Sequence, residues 1–205
     1  MKFHKLRWTI ILVAYFCLGY FTLNLLNVHR AYYFDVSFAF EERIPFFPVA
    51  ILGYTLVFVT LIWTIVLIAE RQLFRKAVIS ALAVSSVHFV LFYLIPVKMV
   101  LRPSIDALGG SIWDPLVRLY FVIDQPTNCF PSLHVAYPTM CTWQIWRAAP
   151  KYLLHFVCMT LIVAVSVVLV KQHYIADAVA GGAASMLICW VVDRPLPFVR
   201  GGREG

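Results

Sequence analysis

Five stretches of the chain, residues 8–26, 46–69, 77–97, 152–170 and 174–192, are almost continuously apolar. A bilayer core of about 30 Å takes roughly 20 residues of helix to cross, so each stretch predicts a transmembrane helix. Residues 131–148 are shorter and more polar, with His134, Thr139, Thr142 and Gln144. They predict a sixth span, one sheltered by protein on its sides and therefore free to be less apolar. The expected architecture is an all-α, integral membrane bundle of six transmembrane helices in one domain, residues 1–205. Two connecting segments are rich enough to be more than links. Residues 28–45 mix Tyr32, Tyr33, Phe34, Phe38 and Phe40 with Asp35, Glu41, Glu42 and Arg43, a composition suited to the membrane interface. Residues 98–130 contain an amphipathic candidate helix at 113–123, and Gly109, Gly110 and Pro126 argue against one helix through the whole segment.

Composition strengthens this picture. Apolar residues make up 62% of the 205 and charged residues 13%, with a mean hydropathy of +0.83. A soluble domain of average composition has about 45–50% and 25%, so lipid must solvate much of this chain. The net charge of +7 does not point to nucleic acid, because the cations fall in short clusters between apolar runs instead of forming one basic stripe. Placing the N-terminus in the cytoplasm puts eleven of the 17 cations inside: Lys2, Lys5, Arg7, Arg71, Arg75, Lys76, Arg147, Lys151, Arg194, Arg200 and Arg203. Six lie outside: Arg30, Arg43, Lys98, Arg102, Arg118 and Lys171. The cytoplasmic excess fits the positive-inside tendency and predicts two cytoplasmic termini, in a plasma or inner membrane. The first apolar run follows a basic segment but lacks a small-x-small cleavage pattern before Asn24, so it reads as a retained signal anchor. Five cysteines, none in CxxC spacing, predict neither a disulfide framework nor a thiolate metal centre.

In this topology three distant segments reach the same outer face. Lys98 and Arg102 follow the third span, Pro131-Ser132-Leu133-His134 opens the fourth, and Lys171 to Asp177 opens the sixth. Two histidines, an aspartate and three cations at one depth form a candidate site. His173 and Asp177 are four apart and share a helix face, where the carboxylate can hold the imidazole proton and leave the other nitrogen free to attack. The alternative is an i,i+4 pair that satisfies a buried carboxylate. Pro131 and Ser132 read as a helix start whose free N–H groups attract phosphate oxygens. His134 then stands as a general acid, or as an interfacial polar residue. Lys98 and Arg102 can neutralise phosphate oxygens, or snorkel to the interface as Lys171 also can. His88, beside Ser85 and Ser86, is expected to make an interhelical hydrogen bond. A metal on His134, His173 and Asp177 is disfavoured by the neighbouring cations.

The order Lys-x-x-x-Arg-Pro, Pro-Ser-Leu-His and His-x-x-x-Asp resembles the three signatures of the type 2 phosphatidic acid phosphatase (PAP2) superfamily. The forms Phe130-Pro131-Ser132-Leu133-His134 and His173-Tyr174-x-x-Asp177 are most similar to the branch that includes inositol phosphorylceramide synthases. The resemblance implies a metal-independent enzyme, without cofactor, acting on lipid phosphates. It implies His173 as nucleophile forming a phosphohistidine, Asp177 orienting it and His134 as acid, with Lys98, Arg102 and Ser132 holding phosphate. The chain departs from the signatures in three places. The first Lys and the Arg-Pro pair are closer than usual, Leu133 replaces Gly, and Val167 stands where the third signature has Arg. Lys171 is the candidate substitute for that cation. The expected function is a lipid phosphatase acting on a monoester or diphosphate. The alternatives are a phosphotransferase that passes a phospho-headgroup to an alcohol, and a non-catalytic anionic-lipid binder or transporter.

Overall fold

The computed structural model describes residues 2–194. Seven α-helices are found among them: α1 (Lys2–Val28), α2 (Ile51–Leu67), α3 (Arg71–Leu94), α4 (Asp114–Ile123), α5 (Leu133–Ala148), α6 (Leu153–Leu169) and α7 (Ile175–Asp193). No strand occurs among the described residues. Helices α1 and α3 begin several residues before the apolar runs at 8 and 77. Hydropathy marks where lipid begins, whereas Lys and Arg are good helix formers whose long side chains let a helix continue past the boundary. Arg200 and Arg203, counted above with the cytoplasmic cations, lie outside the described residues.

Five helices are long and apolar enough to cross a membrane: α1, α2 with its preceding turn, α3, α6 with its preceding turn, and α7. The sixth expected span is α5. Its 16 residues extend about 24 Å, less than the hydrocarbon core. Yet α5 is the hub of the bundle, packed against α2, α3, α6 and α7, while α1 packs mainly on α3. The polar residues that make α5 a weak hydropathy signal are what bind it there. Gln144 donates to Ser80 of α3 at 3.1 Å, and Tyr137 pairs with Ser85 of α3 at 2.7 Å. Thr142 pairs with Thr160 of α6 at 2.9 Å, and Ser185 of α7 donates to the Ala136 carbonyl at 2.7 Å. In an apolar surround such hydrogen bonds between helices replace those that water would make. His88 behaves otherwise than expected. Its Nδ1 lies 2.7 Å from the Val84 carbonyl of its own helix, the ordinary i−4 acceptor, and Nε2 finds no partner.

The segment before α2 folds back over the α6–α7 turn. Glu41, almost fully buried, accepts the Phe38 and Ile175 N–H groups on its two carboxylate oxygens, each at 2.6 Å. Its carbonyl accepts the Lys171 ammonium at 2.9 Å. A carboxylate is favoured at the N-terminus of α7 by the free N–H groups and the helix dipole. Helix α4 matches the expected amphipathic helix at 113–123, with Val117 and Phe121 turned into the core and Leu119 and Val122 exposed.

Candidate active site

The N-termini of α5 and α7 meet almost backbone to backbone. Ser132, the residue before α5, donates its N–H to the Asp177 carbonyl at 3.0 Å, and a Cβ on Gly181 would stand 2.2 Å from the Ser132 oxygen. Only glycine permits this approach, and it sets His134 beside His173: Nδ1 of the first is 3.2 Å from Nε2 of the second. Pro131, expected in the first turn of the helix, lies before the cap, and α5 starts at Leu133.

Hydrogen bonding fixes the tautomer of His173. Its Nδ1 is 3.0 Å from the Cys129 carbonyl and 3.4 Å from the Asp177 carboxylate. Both oxygens only accept, so the proton is on Nδ1 and Nε2 is left bare. Asp177 also accepts the Tyr174 N–H at 2.9 Å, which ties it across the first turn of α7. The backbone carbonyl is thus nearer the imidazole than the carboxylate that sequence spacing singled out.

Arg102 lies between segments. It donates to the Asp124 carbonyl at 2.7 Å and to the Gln172 side-chain oxygen, and its guanidinium covers the Phe121 ring at 4.4 Å. No carboxylate pairs with it among the described residues. Burial lowers its pKa from the ordinary value, opposed by Asp124 and other nearby groups, yet an arginine remains charged. Buried Arg102 Nε, Ser132 Oγ and Gln172 Nε2 have no hydrogen-bond partner, and such orphaned polar groups at one site call for a ligand. Lys98 is held through its backbone, whose carbonyl accepts the Tyr174 hydroxyl at 3.3 Å, while its ammonium stands 5.5 Å from the Tyr33 ring centroid. The Lys171 ammonium is taken by Glu41, and Val167, at the position of the missing arginine, is fully buried in an apolar cluster with Tyr54, Val117 and Phe121.

Cys129, His173 and Asp177 also bring three possible metal ligands within 4.8 Å of one another. Burial, with the Asp177 charge adding to it, pushes the Cys129 thiol well above its ordinary pKa. A thiolate is the metal-binding form, so this cysteine is poorly suited to that task.

A family model describing the PAP2 superfamily matches residues 23–191. The chain belongs to the PAP2 superfamily. No curated protein and no solved structure matches it. PAP2 membership supports phosphatase-type phosphoryl transfer, a reaction in which a protein contributes mainly position and charge. Sequence reasoning missed the second half of this candidate site. Tyr54 of α2 stacks on His134, with ring centroids 4.4 Å apart, and its hydroxyl is 2.5 Å from Nε2. The same hydroxyl is 3.4 Å from Asp124, whose other oxygen accepts the Tyr20 hydroxyl of α1 at 2.5 Å. Gln172 was passed over as well. Two tyrosines inside apolar spans and an aspartate in a loop carry no local signal. The one available hint was a carboxylate, Asp124, ten residues before His134.

Proposed function

We propose that the chain is a membrane-embedded lipid phosphatase that cleaves a phosphate monoester or diphosphate through a phosphohistidine. The observation that carries the reading is the bare His173 Nε2 facing His134 Nδ1 across 3.2 Å, with unpartnered donors beside the pair. His173 attacks phosphorus, Asp177 and the Cys129 carbonyl hold its proton, and His134 protonates the leaving oxygen. Arg102, Ser132, Lys98 and the free N–H groups of α5 stabilise the equatorial oxygens. The mechanism assigns no step to a metal or cofactor. Lys171, expected as the substitute cation, is better read as the tie between the outer segment and α7, because its ammonium is already bound to a carbonyl.

A cavity of about 380 Å³ supports a lipid substrate. It runs from His134 and Asp124 down between α1 and α2 to Leu12 and Ile65. From Tyr54 to Ile65 that is about 17 Å along α2. Val13, Phe21 and Phe58 line it and are exposed, so it is open along its side. At the far end Lys5 bridges α1 to the Ile65 carbonyl. An acyl or prenyl chain fits this groove, whose upper end reaches His134 and Asp124. In a bilayer the reading corresponds to six passes, α5 being the sheltered one, with both termini cytoplasmic and the site at the extracytoplasmic face.

The test is incubation of the purified chain with ³²P-labelled lipid phosphates, with and without candidate alcohols. Free phosphate and an acid-labile phosphoenzyme, both lost in His173→Ala, are expected. An acceptor-dependent lipid product would instead favour the phosphotransferase, the reading for which the inositol phosphorylceramide synthase-like motif forms speak. Full function in His173→Ala would leave a binder or transporter.

A further inference from the structure

The two nitrogens of His134 face different worlds. Nδ1 looks at His173 and the place of the phosphate. Nε2 looks away, into a chain of groups that ends in a buried carboxylate: Tyr54 hydroxyl at 2.5 Å, then Asp124 at 3.4 Å, which Tyr20 holds from the other side at 2.5 Å. His173 Nε2 carries no proton, so the hydrogen bond between the rings takes its proton from His134 Nδ1. In neutral His134, Nε2 is then bare and accepts the Tyr54 proton. In the imidazolium, Nε2 carries a proton that only an acceptor can take, and the phenol must turn its own proton to Asp124. A hydroxyl is the group that can serve both states, since it donates and accepts.

We propose that Tyr54 and Asp124 are positioning residues that hold His134 as an imidazolium aimed at the leaving oxygen. This rests on the reading of His134 as the acid. The proton balance is closed. As the N–P bond forms at His173 and the P–O bond breaks, Nδ1–H passes to the departing oxygen. His134 is left neutral with its proton on Nε2, held by Tyr54. Nδ1 is now bare and takes a proton from water as the water oxygen bonds to phosphorus and the N–P bond breaks, which restores the imidazolium. The charged and titratable groups around His134 are Tyr54 from α2, His173 ahead of α7, and Arg102 and Asp124 from the outer loop. Burial of the ring opposes the positive charge most, and His173 and Arg102 oppose it too. Asp124 is the carboxylate on the Nε2 side that favours it.

Leaving-group dependence tests the idea, because an aryl oxide departs without a proton and an alkoxide does not. Full-length protein in nanodiscs is assayed against pH with dodecyl phosphate and with p-nitrophenyl phosphate. Tyr54→Phe removes one oxygen and keeps the ring against His134. It should lose about 100-fold in kcat/KM on the alkyl ester, within the range for general acid catalysis, but only a few-fold on the aryl ester. The alkaline limb of the alkyl profile should move to lower pH by about one unit, because the imidazolium has lost the Nε2 acceptor that links it to the Asp124 carboxylate. Asp124→Asn should do the same and Asp124→Glu should restore part of the loss. Equal losses on both esters, or an alkyl profile whose limb stays in place, would overturn the proposal, and the limb alone decides if the aryl ester is not turned over. His134→Ala is the control for the underlying reading. If it too loses equally on both esters, His134 is not the acid and the role assigned to it above fails, while hydrolysis of the esters by wild type keeps the phosphatase reading.

Discussion

The two ends of the bundle handle charge in opposite ways. At the end away from the site, Asp193, the last residue of α7, pairs with Arg147 of α5 and with Lys76 of α3 at 3.5 Å, and accepts the Trp143 indole N–H at 2.6 Å. Anion meets cation there, and three helices are tied together. At the site end none of Arg30, Arg43, Lys98, Arg102, Arg118 and Lys171 pairs with a carboxylate among the described residues. Arg30, Lys98, Arg102, Arg118 and Lys171 meet carbonyls, an amide oxygen or aromatic rings instead. The carboxylates Glu41, Asp124 and Asp177 bond instead to N–H groups and phenols. Charge kept unpaired near a membrane surface is costly unless something else neutralises it. A phosphate dianion would do so, and the end at Asp193, already neutralised internally, has no such capacity.

The comparison breaks most sharply at Arg102. Arg102→Ala should lower kcat/KM for lipid phosphate about 100- to 1,000-fold, the range seen when one donor to transition-state charge is removed. Arg102→Lys should recover little of it, because the fork that spans the Asp124 carbonyl and Gln172 while covering Phe121 is planar and an ammonium is not. Phosphate release at saturating and sub-saturating substrate checks both. Retained activity in Arg102→Ala would remove the site end's distinction from the other.

Gly181→Ala should come next. Its Cβ has nowhere to go but the Ser132 carbonyl, so α5 and α7 must separate at the point where they carry the two histidines. A loss of about 1–3 kcal/mol in stability is expected from forced repacking. Turnover should fall beyond what the unfolded fraction explains, since a small displacement between reacting groups is expensive. Thermal unfolding followed alongside kcat separates the two.

Most of the bundle was legible because lipid leaves a long apolar record. The expected spans at 46–69, 152–170 and 174–192 coincide with helices to within a few residues. The central helix was the hardest to read, since its hydrogen bonds to Ser80, Ser85, Thr160 and Ser185 come from helices that are distant in sequence. At the site, helical spacing sufficed to link His173 with Asp177, and topology sufficed to bring His134 near them. The Tyr54–Asp124–Tyr20 chain was invisible, because it is assembled from three elements and none of its members has a partner nearby in sequence. Lys171 shows the converse case: two residues from His173 in sequence, it has its backbone in the left-handed region at φ 55° and its ammonium on the Glu41 carbonyl, a placement that spacing does not reveal.

At the end away from the site Asp193→Asn tests the other half of the comparison. The amide keeps an acceptor for Trp143 but loses both ion pairs. The side chain is mostly buried, so about 1–2 kcal/mol of stability should go. The kcat of the folded fraction should stay within about twofold, as neither the histidines nor the α5–α7 contact at Gly181 depends on Asp193. An equal fall in kcat and stability would mean that the two ends are coupled through α7.

The smallest effect is expected at Lys171→Ala. Its ammonium bridges to a backbone carbonyl of the segment before α2, and Glu41 keeps that segment docked through the Phe38 and Ile175 N–H groups after the lysine is gone. Losing one charged hydrogen bond costs about 1 kcal/mol when the rest of the contact survives. We therefore expect kcat/KM within about threefold of wild type, with faster proteolysis of the segment before α2 as the visible change. A loss as deep as that of Arg102→Ala would return Lys171 to the phosphate, with the bond to Glu41 then a resting position that substrate breaks.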